Sequence, residues 1–212
     1  MPTEHEYKYV LSLDLLRELS EEKLRFVSDS SAYIRQGYIA MSEGSAARVR
    51  QIEGDPSVLH LSGCIGKWIF TFKHDVAGRV VEIEVPLDER DGNDLWTCCS
   101  KQISKTRYKF NRILTWELDV FYDHRGDVYF IMLEVELPEN APKPPAQLIP
   151  DFLRKHIVHE VALTDGRFSN KKLSDVNYVS QLYEQIDQGV IDASQDQKQG
   201  EGCSKIVQPC TT

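Results

Sequence analysis

Long apolar runs, spaced cysteine pairs and a basic net charge are all missing from this 212-residue chain, and each absence removes a class of function. No apolar stretch approaches the length of a membrane-spanning helix. The opening Met-Pro-Thr-Glu-His-Glu has no basic segment followed by an apolar core, so no secretory leader is expected. The five cysteines are Cys64, Cys98, Cys99, Cys203 and Cys210: odd in number, two of them adjacent, none spaced Cys-x-x-Cys. They indicate neither a disulfide framework nor a zinc site, and a reducing cytoplasm is the expected compartment. A net charge of −8 argues against general affinity for nucleic acid or an anionic membrane. An acidic total still leaves room for a local basic pocket. No internal repeat is present.

What is there is an ordinary globular composition, 41% apolar and 27% charged. The length suits one domain over residues 1–187. From 188 to 212 the chain turns to Gln, Asp, Ser and Gly with few apolar residues and is expected to be a disordered tail. Short alternating stretches predict strands near 3–10, 32–41, 45–53, 67–74, 79–86, 103–112, 114–123, 127–138 and 157–162. Turn residues separate several of them, notably Asp123-His-Arg-Gly126, which reads as a hairpin. Helices are expected at 14–27, where Ser20 precedes Glu21 and Glu22, at 150–156 and at 174–187. The class is α+β, with one large antiparallel sheet or barrel and a few helices.

The strands carry their charges in a particular way. Residues two apart share a face. That places Glu4, Glu6 and Lys8 together; Arg48 with Arg50; Thr71 with Lys73; Glu82 with Glu84; Lys105 with Arg107 and Lys109; Glu117 with Asp119; and Glu134 with Glu136. The opposite faces carry residues such as Val81, Ile83, Val85, Tyr108, Phe110, Trp116, Leu118, Leu133 and Val135. One such strand is ordinarily half-buried with a solvated charged face. Here seven strands carry them, with acids and bases sorted by strand. If the sheet closes, the charges point either outward around an apolar core or inward beneath helices. Inward charge is costly unless paired, hydrated or bound. A polyanion with metal ions would satisfy both signs: guanidinium and ammonium groups meet phosphate oxygens, and paired carboxylates suit Mg²⁺ or Mn²⁺.

These residues resemble the CYTH, or triphosphate tunnel metalloenzyme, family. Glu4-His-Glu6-Tyr-Lys8 matches its Glu-x-Glu-x-Lys signature. Arg48-x-Arg50, Thr71-x-Lys73, Glu82-x-Glu84, Lys105-x-Arg107, Trp116-Glu-Leu-Asp119-x-Phe121 and Glu134-x-Glu136 follow in family order, and 160–170 resembles the closing strand and loop. The resemblance implies an eight-stranded, closed antiparallel β-barrel with flanking helices, so one of the nine strand candidates is expected to be surplus. It implies phosphate ligands at Lys8, Arg48, Arg50, Lys73, Lys105 and Arg107. Glu4, Glu6, Glu134 and Glu136 would hold the metals, with Glu82, Glu84 and Asp119 as further ligands or supporting partners. Phe168 stands where a Tyr is usual. Ser169, Lys171 and Lys172 are nearby candidates to close the site.

The reaction implied is metal-assisted hydrolysis of inorganic triphosphate or a related small triphosphate, with Mg²⁺ or Mn²⁺ as cofactor and Glu4 and Glu6 in the catalytic set. Tyr38 with Lys73 is an alternative acid/base pair, as in thiamine triphosphatases of the family. Class IV adenylate cyclase, thiamine triphosphatase and a non-catalytic polyphosphate- or nucleotide-binding module are the other readings. RNA 5′-triphosphate processing is disfavoured by the acidic charge. The protein is expected to be a monomer or homodimer. Other motifs carry less. Gly63-Cys-Ile-Gly66-Lys67 is too short for a phosphate loop. His156 and His159 lack further ligands for zinc and read as surface residues. Arg125-Gly-Asp127 reads as a turn, and the glycine of 88–94 is misplaced for a calcium loop.

Overall fold

The computed structural model describes residues 5–40, 45–54, 68–76, 79–138, 141–163 and 165–191. Nine strands form one antiparallel sheet: β1 (His5–Leu11), β2 (Ser30–Ile39), β3 (Ser45–Gly54), β4 (Trp68–Val76), β5 (Arg79–Leu87), β6 (Lys101–Asn111), β7 (Thr115–Tyr122), β8 (Val128–Leu137) and β9 (Ile157–Val161). Their order across the sheet is β5-β4-β3-β2-β6-β7-β8-β1-β9. All nine stretches of alternation are therefore strands, and none is surplus. The sheet is not the closed eight-stranded barrel that the resemblance implies. β9 adds a ninth strand beside β1, and among the described residues no ladder joins β9 to β5. The sheet is nevertheless strongly curled. Lys8 on β1 and Tyr38 on β2 are four strand spacings apart, roughly 19 Å on a flat sheet. Their side chains are close enough for the lysine charge to act on the tyrosine hydroxyl.

Both faces are covered in the middle of the sheet. One face, bearing Tyr9, Leu11, Tyr108, Phe110, Trp116, Leu118, Leu133 and Val135, packs under α1 (Asp14–Glu18), α2 (Glu21–Val27) and α4 (Asp151–Arg154) through Leu15, Leu24 and Leu153. The expected 14–27 helix is two helices. Leu19 is extended, and Ser20 caps α2 by accepting from the Lys23 N–H, so the cap that starts one helix ends the run of the other. A helix without a sequence expectation, α3 (Glu89–Thr97), is capped by Asp88, whose Oδ1 accepts from the Asp91 N–H at 2.8 Å. It lies close on the sheet because position 92 is glycine: a Cβ there would come within 1.9 Å of the Trp68 ring. Trp68 and Trp96 then pack together with ring centres 5.7 Å apart, and the Arg35 guanidinium lies against the pair, 5.4 Å from each ring. Gly126 closes the predicted hairpin turn at φ 86°.

The other face is the charged one, and its alternation changes character along the strands. Past Lys8, Lys105, Asp119 and Glu134 the same face continues as Val10, Ile103, Phe121, Met132 and Phe130. That apolar end is covered by α5 (Asn170–Leu173) and α6 (Val176–Asp187) through Leu173, Val179 and Leu182, with Phe168 and Val161. Asp175 caps α6. The curled sheet therefore holds a charged cleft with an apolar floor. No helix among the described residues is long and apolar enough to cross a membrane.

Candidate functional site: a charged cleft

Strand alternation alone brings the predicted charges to one face, and cross-strand register decides who meets whom. Arg107 on β6 stands opposite Asp119 on β7, Glu117 opposite Glu134 on β8, and Lys8 on β1 opposite Glu134. The result is a dense network. Arg107 donates to Asp119 through Nε at 2.7 Å and Nη2 at 2.6 Å, to Glu134 at 2.8 Å, and to Glu117. Lys105 donates to the same Asp119. Lys8 bridges Glu6 at 2.6 Å and Glu134 at 3.1 Å, and Lys109 lies 3.4 Å from Glu117. Asp119 is fully buried, and Glu134, Lys105 and Lys109 nearly so.

The electrostatics follow from this packing. Burial alone would raise the Asp119 carboxyl, but Arg107 and Lys105 outweigh it and hold it well below the usual carboxylate range. Glu134 moves the other way: burial, and then the neighbouring Glu6 carboxylate, push it up despite Lys8 and Arg107. Burial lowers the Lys105 ammonium. It works in the same direction on Lys8, where Glu134 and Glu6 more than compensate and raise it.

Across the cleft the pairing is looser. Arg48 on β3 reaches Glu82 and Glu84 on β5 only at 3.7 and 3.6 Å, and its buried Nε has no partner among the described residues. Lys73 on β4 pairs with Glu82 at 2.9 Å, and Thr71 donates to Glu84 at 2.9 Å. Arg50 is different again. Its Nε donates to the Gln36 amide oxygen at 2.9 Å, and among the described residues it has no carboxylate partner. Burial, with Arg48 and Arg107 nearby, pushes this guanidinium down to about 9. An arginine keeps its proton at neutral pH, so a guanidinium in these surroundings stays charged and favours an anion beside it.

Most of the predicted residues thus share one face: Glu6, Lys8, Tyr38, Arg48, Arg50, Lys73, Glu82, Glu84, Lys105, Arg107, Asp119, Glu134 and Glu136. Glu4 lies outside the described residues, as do Cys64, Lys67, Cys203 and Cys210. Of the expected metal set, Glu6 and Glu136 are cross-strand partners and Glu134 meets Glu6 through Lys8. Among the described residues no three acidic, His or Cys side chains form a ready metal-binding group. Tyr38 and Lys73 are not hydrogen-bonded to each other: the Tyr38 hydroxyl accepts from Gln36, and Lys73 turns to Glu82. His156 and His159 are buried rather than surface residues. His156 sits 3.6 Å from Glu18, and His159 stacks on Phe168 beside the cleft floor.

Sequence reasoning missed Gln36 and Asn170. Gln36 is buried and binds both Arg50 and Tyr38, and Asn170 accepts from Lys105 at 3.3 Å. Neither is charged; only Gln36's place two residues before Tyr38 on the same strand pointed to it. Two surface grooves of about 500 and 490 Å³ run along 143–151 on the helix-covered side and include none of the cleft residues.

No family profile and no curated protein matches the sequence. Solved structures do. The inorganic triphosphatase NE1496 is 23% identical over 82% of this chain and 95% of its own, with a TM-score of 0.50. HpAC1 from Hippeastrum, described as having a dominant triphosphatase activity, is 16% identical over 65% of this chain and 80% of its own, with a TM-score of 0.44. The PH1012 protein from Pyrococcus horikoshii OT3 is 17% identical over 66% and 81%, at 0.42. The NE1496 match shows a shared fold, in keeping with the fold family that the charged alternation resembles.

Proposed function

We propose that this chain, built on the triphosphate tunnel (CYTH) fold, is a divalent-metal-dependent hydrolase of inorganic triphosphate or a related small triphosphate. The observation that carries the reading is Arg50, a guanidinium beside Arg48 and Arg107 whose hydrogen bond among the described residues goes to a neutral amide, with Glu84 acting on it from beyond ion-pair distance. A solvated charged face does not need such a group, and a self-contained core network would have given it a carboxylate. Desolvated, pre-oriented guanidinium donors suit phosphate oxygens, which they grip in pairs.

Charge balance extends the reading to metals. Among the described residues the charged face carries Lys8, Arg48, Arg50, Lys73, Lys101, Lys105, Arg107 and Lys109 against Glu6, Glu82, Glu84, Glu117, Asp119, Glu134 and Glu136. A bound triphosphate would add several negative charges to a cleft that is already close to even. Glu6 stands opposite Glu136 across β1 and β8, with Glu134 two residues along the same face, and hard carboxylate oxygens so placed suit a divalent cation. Glu6, Glu134 and Glu136, with Glu4, would hold it. Mg²⁺ or Mn²⁺ there would neutralise phosphate oxygens and make a bound water a better nucleophile. The chain's own part is positional. Arg48, Arg50, Lys73 and Lys105 bind and orient the phosphates, Arg107 is held in place by Asp119, and the apolar floor excludes water from one end.

A second reading is a non-catalytic polyphosphate-binding module. It is favoured by Glu134 being engaged by Lys8 and Arg107. Phosphate release from inorganic triphosphate, ATP and thiamine triphosphate, with Mg²⁺, Mn²⁺ or EDTA, separates the two. Release that EDTA abolishes supports the triphosphatase, and the best compound names its substrate. Binding without release supports the module, and cyclic AMP formed from ATP would move the assignment to a cyclase.

A further inference from the structure

Lys105 stands at the border between the cleft and its apolar floor. Ile103 and Phe121 lie on the floor side, Arg107 and Asp119 on the cleft side. Its ammonium is buried, 5.2 Å from the centre of the Phe121 ring. An ammonium carries three donors. One goes to Asp119 and a second to Asn170 Oδ1 at 3.3 Å; no protein acceptor takes the third among the described residues. Asp119 alone does not fix the direction of that third donor, because a lysine on its flexible stem pivots about a single acceptor. Arg107, moreover, already engages both oxygens of Asp119, at 2.7 and 2.6 Å.

Asn170 supplies the missing constraint, and it comes from outside the sheet. It opens α5, which is seated by Leu173 in the cleft floor and by the Tyr129 hydroxyl donating to the Leu173 carbonyl at 2.7 Å. The amide is also neutral. It orients the ammonium without cancelling its charge, as a carboxylate at the same place would.

We propose that Asn170 is a positioning residue: docked on the floor with α5, it aims the remaining Lys105 N–H at an anionic oxygen in the cleft. The proposal rests on the triphosphate reading above, with a phosphate oxygen as the acceptor. It predicts that Asn170 acts on the ligand only through Lys105.

The test is a calorimetric titration of the full-length protein with inorganic triphosphate in EDTA, where no turnover intrudes. Asn170→Ala weakens binding about 10-fold, the order of one hydrogen bond to a charged group. Asn170→Asp, nearly the same shape, weakens it at least as much because it neutralises Lys105. In a Lys105→Met background, Asn170→Ala changes the Kd by less than about 2-fold. An unchanged Kd for Asn170→Ala overturns the proposal. So does an equal loss in both backgrounds, which is what a loosened α5 alone would produce. If the alanine variant does not fold, the same comparison is made with Asn170→Asp. A wild-type protein that neither binds nor hydrolyses triphosphate removes the reading beneath the proposal. That result is distinct from tight wild-type binding left untouched by the Asn170 changes.

Discussion

Around Asp119 the carboxylates are answered from within the protein: Arg107 and Lys105 converge on a fully buried Asp119, and Glu134 is engaged by Arg107 and Lys8. Around Arg50 the cations are less fully answered: among the described residues the guanidinium's hydrogen bond goes to an amide, and Arg48 reaches its carboxylates at 3.6 and 3.7 Å. Both regions are built from the same residue types at the same two-residue spacing. The difference lies in what neutralises them. Where protein satisfies protein, removing a partner strands a buried charge and the fold suffers. Where the protein leaves a donor unanswered, a ligand must answer it, and removal costs binding more than stability.

The largest effect therefore belongs to the region around Asp119. Asp119→Ala leaves Arg107 and Lys105 buried without their shared carboxylate, and it should destabilise the fold by about 3–5 kcal/mol. The urea midpoint measures this. A loss below about 1 kcal/mol would mean the network is as inconsequential as a surface pair.

The pH response of the same region is next in size. Asp119 is depressed in the folded state, so its contribution is fully present above the ordinary Asp value of about 3.9 and is lost as pH falls below it. Glu134 is raised, so between its ordinary value of about 4.5 and its folded value the native state holds the extra proton. In that window stability rises as pH falls and drops as pH rises. Urea midpoints across this acid range should show both slopes. Asp119→Asn should remove the lower one and Glu134→Gln the upper one. If both slopes survive both substitutions, the carboxylates have been misassigned.

The smallest effect belongs to the loose side. Glu82→Gln gives up an ion pair to Lys73 between exposed side chains and a contact to Arg48 stretched to 3.7 Å, and it should shift stability by less than about 1 kcal/mol. A larger loss would make the two regions alike and erase the contrast.

Much of the fold was legible because a two-residue period is a direct record of which face a side chain occupies. All nine strands could be placed within a few residues from that period. Pairing partners could not, since nothing in a strand's own residues says whether it closes a ring. The addition of β9 beside β1 and the β5 edge, unjoined among the described residues, are tertiary outcomes. Helix α3 was hidden by Gly92, which reads locally as a breaker and is there because Trp68 leaves no room for a Cβ. The charged residues of the cleft announced themselves by repetition. The floor did not: Val10, Ile103, Phe121, Phe130 and Met132 continue the same alternation, but only the arrival of α5 and α6 makes them a floor. Asn170 was silent for the same reason, being neutral and 65 positions along the chain from the lysine it holds.

The central claim is that Arg50 is less fully answered within the protein because a triphosphate answers it. The direct test is the steady-state hydrolysis of inorganic triphosphate with Mg²⁺ by wild type and by Arg50→Ala, with the urea midpoint of each recorded alongside. The account predicts a KM raised about 100-fold or more, the order of a lost charge-assisted contact, with a midpoint close to wild type. An unchanged KM with a collapsed midpoint would contradict it and make Arg50 one more structural charge.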